Sequence, residues 1–201
     1  YTINHLKKTN MLHGRKKEEE AGMKITMITG SAHKTGTSAY LSENFAMGAQ
    51  DAGHEVERFD AAFLDVHACI GCGHCRSHAE KCIFQDDMNR INQSLIEADA
   101  VVFASPVYYN NINAQMKAVI DRFYAVDEKL KSTKKAVLLL TSADEEWENT
   151  AGPILAFKGM CDYLGWSGAG IITAGGCAVR EDIEKTDFGR KAYELGEKIG
   201  M

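Results

Sequence analysis

The sequence has only two prolines among its 201 residues, so long proline-rich linkers are excluded. It has no excess of positive charge: the formal net charge is −5, which argues against a nucleic-acid partner, since such proteins carry a basic face. No apolar run approaches the roughly 18–20 residues of a membrane helix. The longest strand-like runs are Ala100 to Ala104 and Ala136 to Leu140. Residues 1–22 contain no apolar stretch of the kind that marks a secretory signal, so the expected location is the cytoplasm. What remains is an ordinary globular composition, 45% hydrophobic and 25% charged, at a length that suits one domain.

Six cysteines are present, and four of them form the run Cys69-x2-Cys72-x2-Cys75-x6-Cys82. A chain this long does not need disulfide staples. Clustered cysteines in a reducing compartment point to metal or redox chemistry. The spacing does not match the two C-x2-C pairs of a zinc ribbon. Three cysteines so spaced can wrap an iron–sulfur cubane that the fourth closes; free thiols and zinc stay open as alternatives. His67, His74 and His78 lie nearby and read as solvated loop residues. Cys161 falls on the apolar side of a helix and Cys177 follows the last strand, nearer a candidate site.

Residues 1–22 are polar and aperiodic and read as an N-terminal arm; residues 23–201 read as one domain. From Met23 the pattern alternates strand with helix five times. Strands are expected at Lys24–Thr29, His54–Phe59, Ala100–Ala104, Lys135–Thr141 and Gly168–Thr173. Helices are expected at Ser38–Ala52, Asp86–Ala98, Asn113–Tyr124, Pro153–Leu164 (with Pro153 in the first turn) and Asp187–Ile199. Such alternation predicts a parallel sheet with helices on both faces, in the doubly wound order 2-1-3-4-5. Ligands then bind where the winding reverses, at the carboxyl ends of strands 1 and 3.

Both ends carry suitable residues. The first loop, Thr29-Gly30-Ser31-Ala32-His33-Lys34-Thr35-Gly36-Thr37-Ser38, offers glycines, hydroxyls and a helix N-terminus, the ingredients of a phosphate site. It is neither a nucleotide P-loop nor a dinucleotide fingerprint. The third loop, Ser105-Pro106-Val107-Tyr108-Tyr109-Asn110-Asn111-Ile112, offers flat rings to a flat ligand. Asp121-Arg122 reads as a surface ion pair or a contact between subunits. Tyr109, Trp147 and Phe84 read as exposed rim residues.

Gly30-Ser31 through Thr37-Ser38, Ser105-Pro106-Val107-Tyr108, Gln115-Met116-Lys117 and Asp121-Arg122 together resemble the flavodoxin-like NAD(P)H-dependent FMN reductases. The cysteine run and Asp86-Asp87-Met88 are similar to that family's iron–sulfur flavoprotein branch. The family's first loop reads G-S-P-R-K-x-G-N-T; here Ala32 stands for its proline, His33 for its arginine and Thr37-Ser38 for its asparagine-threonine, so that Lys34 or His33 would supply the cation. The resemblance implies a flavodoxin-like fold, with FMN phosphate held by Ser31, His33, Lys34, Thr37 and Ser38. The flavin ring would lie along Pro106, Val107, Tyr108, Tyr109, Asn110 and Asn111. It further implies a [4Fe-4S] cluster on Cys69, Cys72, Cys75 and Cys82, NAD(P)H as co-substrate, a small-molecule or protein electron acceptor, and a homodimer or higher oligomer. The competing readings are an electron carrier without its own substrate, and a cysteine-based redox or metal sensor.

Overall fold

The structure, a computed structural model, describes residues 22–201. The expected arm at residues 1–22 lies outside the described residues apart from Gly22. Five parallel strands make the sheet: β1 (Lys24–Thr29), β2 (Glu55–Asp60), β3 (Ala100–Tyr108), β5 (Lys135–Thr141) and β6 (Ser167–Ala174). Their order is β2-β1-β3-β5-β6, which is the doubly wound order expected from the alternation. A sixth strand, β4 (Asn111–Ile112), was not anticipated; it folds back antiparallel on the end of β3, pairing Tyr108 with Asn111 and Val107 with Ile112.

The three central strands read as continuous apolar runs because both faces are covered. β2 at the edge alternates, with Phe59 buried and Glu55 and Glu57 exposed. One face of the sheet is covered by α1 (Thr37–Asp51), α7 (Arg180–Ile183) and α8 (Phe188–Glu197), through Leu41, Phe45, Ile183 and Ala192. The other is covered by α3 (Met88–Glu97), α4 (Ala114–Asp121) and α6 (Glu148–Leu164), through Met88, Ile91, Leu95, Met116, Val119 and Phe157. Two short helices, α2 (His74–Ser77) and α5 (Asp127–Leu130), lie in the connections. Trp166 packs beside Phe103 (ring centroids 6.5 Å apart) and its indole N–H donates to the Leu130 carbonyl at 2.8 Å, so the buried ring leaves no polar atom unpaired.

Three helical expectations need correction. α6 begins at Glu148, five residues before Pro153, so the proline stands in the second turn. Its missing N–H removes one helical hydrogen bond, to Asn149, and the helix runs on because flanking turns are packed. The expected helix to Tyr124 ends as α at Asp121 and tightens into a 3₁₀ turn over Arg122–Ala125. α1 starts at Thr37, one residue before the expected Ser38, behind Gly36 and with no side-chain cap.

α1 and α8 approach through glycine. A Cβ on Gly48 would lie 2.0 Å from the Tyr193 carbonyl oxygen, and one on Gly196 2.1 Å from that of Phe45. Gly159, on the exposed side of α6, has nothing within 4 Å. The two environments predict opposite signs for one chemical change. Gly196→Ala destabilises by about 1–3 kcal/mol through overpacking. Gly159→Ala stabilises by about 0.5–1 kcal/mol through helix propensity. Urea unfolding midpoints read both, and equal shifts of one sign would contradict the packing.

Candidate functional site

The parallel strands all end on one edge, and a cleft of about 470 Å³ opens there. Its walls come from four strand ends: the loop after β1, the end of β3, the loop after β5 and the loop after β6. This is the size range of small-ligand sites, roughly 300–1,000 Å³.

The loop after β1 is fixed from below. The Gly30 N–H donates to the Ala104 carbonyl at 2.8 Å. The Asn113 side-chain amide donates to the Gly30 carbonyl, and a Cβ on Gly30 would strike Asn113 Oδ1 at 2.1 Å. Asn113 also caps α4 by accepting the Met116 N–H. Ser31 Oγ accepts the His33 N–H at 3.1 Å and so closes the turn. Above this turn α1 starts uncapped, with no acidic residue in its first turn. Its free N–H groups and positive dipole end therefore face an opening rather than a protein acceptor.

Of the residues expected around a ligand, Ser31, His33, Thr37, Pro106, Val107 and Tyr108 line the cleft. Lys34 does not; its ammonium sits over the Phe63 ring, 4.6 Å from the centroid. Ser38 is buried below the loop and its hydroxyl pairs with Thr141 Oγ1 at 2.8 Å. Tyr109, Asn110 and Asn111 are outside the lining, on the β3–β4 hairpin. The hairpin tip is left-handed at both central residues, φ +50° at Tyr109 and +56° at Asn110, and the Tyr109 ring is fully exposed. Two positive φ values are what a two-residue hairpin turn demands, although tyrosine is an unfavourable choice there.

Three contributors, Thr141, Ser142 and Arg180, escaped sequence reading, and Cys177 joins them where its position after the last strand put it, near the site. Thr141 accepts a hydrogen bond from Thr37 Oγ1 at 3.1 Å and ties the β5 end to α1. Ser142 donates through its hydroxyl to the Asp144 carbonyl at 2.7 Å. Cys177 lies buried against the cleft, its thiol shifted upward by burial, then by Asp182 and Glu145. Arg180 reaches the cleft from α7, held by Glu184 (2.7 Å) and Glu43 (3.2 Å) and stacked on Tyr40. Among the described residues, no carboxylate lines the cleft. Only the alternation of strand ends could have signalled these positions, because each belongs to a loop with no motif.

The cysteines form a second site. Cys69, Cys72, Cys75 and Cys82 all line one small pocket, which shares no lining residue with the cleft. Gly71 (φ +67°) and Gly73 (φ +70°) supply the left-handed turns that curl the run. The opposite wall is Asp121, Arg122, Tyr124 and Ala125, at the end of α4. The loop thus starts on the carboxyl rim but its pocket lies against the helical layer. Among the described residues no three His, Cys, Asp or Glu side chains group closely enough for one metal ion. His74 stacks on His78 and His67 on Phe84, so the three histidines have other partners.

Arg122 corrects the expected surface pair. Its side chain is 1% exposed, and its guanidinium grips Asp86, equally buried, with contacts of 2.7 and 2.9 Å. It also donates to the His67 carbonyl at 2.7 Å. Asp121 pairs instead with Lys117 on the helix surface. Burial pushes the Asp86 carboxyl up, but the Arg122 hydrogen bonds, the His67 and Met88 N–H groups and the Arg122 charge together hold it below the usual carboxylate range. Phe84, expected on the rim, is half-buried under this guanidinium, 5.3 Å from its ring centroid.

A doubly wound sheet with an uncapped helix N-terminus and a carboxylate-free cleft at the winding reversal defines a flavodoxin-like domain. Comparison with known proteins carries the assignment further. A family model for NADPH-dependent FMN reductases matches residues 23–160. An iron–sulfur flavoprotein of Archaeoglobus fulgidus is 32% identical over 182 residues, 88% of this chain and 79% of its own. One of Methanosarcina thermophila is 33% identical over 115 residues, 57% of this chain and 60% of its own. The solved NAD(P)H:quinone oxidoreductase of Methanothermobacter marburgensis superposes with a TM-score of 0.68 at 18% identity, over 90% of this chain and 98% of that one. A Bacillus anthracis azoreductase does so at 0.66 and 15%, over 88% and 99%. At those identities the structures attest the fold. The chain belongs to the NADPH-dependent FMN reductase family, in its iron–sulfur flavoprotein branch, and is an FMN-dependent oxidoreductase. Among the described residues, no helix is long and apolar enough to cross a membrane.

The cysteines should separate by reactivity in metal-free, reduced protein. Burial, then Asp162, pushes the Cys161 thiol up to about 11, so its thiolate forms only as pH rises toward that value. Cys69 and Cys72 are exposed. At pH 8 iodoacetamide followed by peptide mass spectrometry should label Cys69 and Cys72 first and leave Cys161 and Cys177 unmodified. Equal labelling of Cys161 and Cys72 would contradict the burial.

Proposed function

We propose that residues 23–201 act as one FMN-binding unit that takes electrons from NAD(P)H and delivers them to a small-molecule or protein acceptor, with a [4Fe-4S] cluster in the cysteine pocket. The observation that carries the flavin assignment is the cleft at the ends of β1 and β3, lined by hydroxyls and Arg180 and by no carboxylate, over the uncapped start of α1. That is an anion site beside an apolar wall, which is what a flavin mononucleotide requires.

In this reading Ser31, Thr35 and Thr37 hold the phosphate by their hydroxyls, the first amides of α1 by their N–H groups, and Arg180 by its charge. Arg180 takes the place expected of Lys34, and Ser38 supports the loop through Thr141 rather than touching the ligand. Pro106, Val107 and Tyr108 flank the ring, while Tyr109, Asn110 and Asn111 form the hairpin beside it. The flavin, when bound, supplies exchange between hydride and single-electron transfer. The chain binds and orients it, keeps negative side chains away from its phosphate, and keeps the cleft open to an acceptor.

The cysteine pocket fits a cluster on two counts. All four cysteines line one pocket, and Arg122, which lines it too, has a buried Nε–H with no acceptor. A cubane gives each thiolate its own iron, so its ligands stand farther apart than those of a lone ion, in keeping with the absence of a close three-ligand group among the described residues. The cluster and free thiols call for a reducing compartment, which is the cytoplasm. Exposed Tyr109, Trp147, Leu155 and Tyr163 support a homodimer or higher oligomer, since large apolar patches are seldom left uncovered.

Anaerobically purified protein should release FMN on heating, identified by mass, and contain about four irons and four acid-labile sulfides per chain. Release of FAD alone sinks the cleft assignment; iron-free protein that stays so after reconstitution leaves a plain flavin reductase. Thr37→Ala and Arg180→Ala should each weaken FMN binding by about 1.5–3 kcal/mol, the worth of a hydrogen bond to a charged group. Light scattering at micromolar concentration should show a mass of at least two chains.

A further inference from the structure

The cysteine pocket contains a donor that the fold leaves waiting. Arg122 is the largest of the fully buried side chains. Its Nη1 serves the His67 carbonyl and Asp86 Oδ2, each at 2.7 Å, and its Nη2 serves Asp86 Oδ1 at 2.9 Å. That fork fixes the guanidinium plane. Nε is buried and has no partner; the only other such side-chain atom among the described residues is Asn92 Oδ1. Buried donors without acceptors are rare and mark a missing group. Arg122 lines the pocket of the four cysteines.

We infer that Arg122 is a positioning residue for the cluster: its Nε–H donates a hydrogen bond to a sulfur held in this pocket. The inference rests on the cluster reading above. Asp86 matters to it twice. It occupies the other edge of the guanidinium, so the plane cannot turn away. It also neutralises most of the arginine charge, so what reaches the sulfur is a directed N–H and not a free cation. A donor to sulfur withdraws electron density and favours the more negative, reduced cluster, so Arg122 raises its reduction potential. Arg76 is the natural comparison, because it adjoins Cys75 yet its guanidinium sits over the Tyr124 ring, 4.3 Å from the centroid.

The test begins with unmutated protein. In protein carrying ¹⁵N-arginine, electron–nuclear double resonance of the reduced cluster should show a ¹⁵N coupling. The coupling should persist in Arg76→Lys and vanish in Arg122→Lys, which keeps a cation able to reach Asp86 but has no Nε–H. In Arg122→Lys the cluster potential should move to more negative values, enough to change its reduced-to-oxidised ratio several-fold at fixed ambient potential, with FMN still bound. A cluster without arginine ¹⁵N coupling in the unmutated protein overturns the inference and leaves the cluster reading standing. Coupling that survives Arg122→Lys overturns it too. Protein that takes up no iron and sulfide overturns the cluster reading, and the inference with it.

Discussion

Arg122 and Asp86 hold the sulfur-bearing loop against the helical face of the sheet, and both are shut away from water. Removing two such charges from solvent costs several kcal/mol per ion, and their attraction offsets this only when geometry and further hydrogen bonds are good. Here they are: Asp86 accepts from Arg122 twice and from the backbone of His67 and Met88, and Arg122 also binds the His67 carbonyl. One pair thus joins the segment after β2, the start of α3 and the end of α4. The other charged tie of the cysteine loop, Glu80 to Lys129, lies at the surface. Exposed pairs of that kind contribute about 0–1 kcal/mol.

How far the sequence could be read depended on the range of the forces. The five parallel strands were legible because the central ones are short apolar runs and β2 alternates, and the doubly wound order follows from alternation with helices. β4 was not, because its turn is Tyr109-Asn110 instead of an Asn-Gly or Asp-Gly pair. Arg122 was misread because Asp121 is its neighbour in sequence. Adjacent residues on a helix point to different sides, and the true partner is Asp86, 36 positions away. The first and third loops of the cleft could be found from glycines, hydroxyls and tyrosines. Thr141, Ser142 and Arg180 could not, since only the closing of the sheet brings them beside the first loop. Lys34 shows the converse: a cation in the expected loop finds a ring outside the cleft.

The two sites are built on different principles. The cleft is open, its polarity comes from hydroxyls and the start of a long helix, and its rigidity comes from Asn113 and Thr141 beneath it. The cysteine pocket is narrow, and its order comes from buried charge and left-handed glycines. Binding in the first needs little rearrangement. On the cluster reading proposed above, binding in the second would draw four thiols into fixed places, so its free energy would be partly folding free energy for the loop.

The hairpin at Tyr109 and Asn110 holds two side-chain-bearing residues in a backbone conformation that glycine adopts without penalty, at roughly 1–2 kcal/mol apiece. A sequence optimised for thermal resistance alone would write Asn-Gly there. That version would be sturdier and would lack the exposed ring at the mouth of the cleft. The chain carries the less comfortable turn, and replacing it in a thermostabilising campaign would trade that ring for durability.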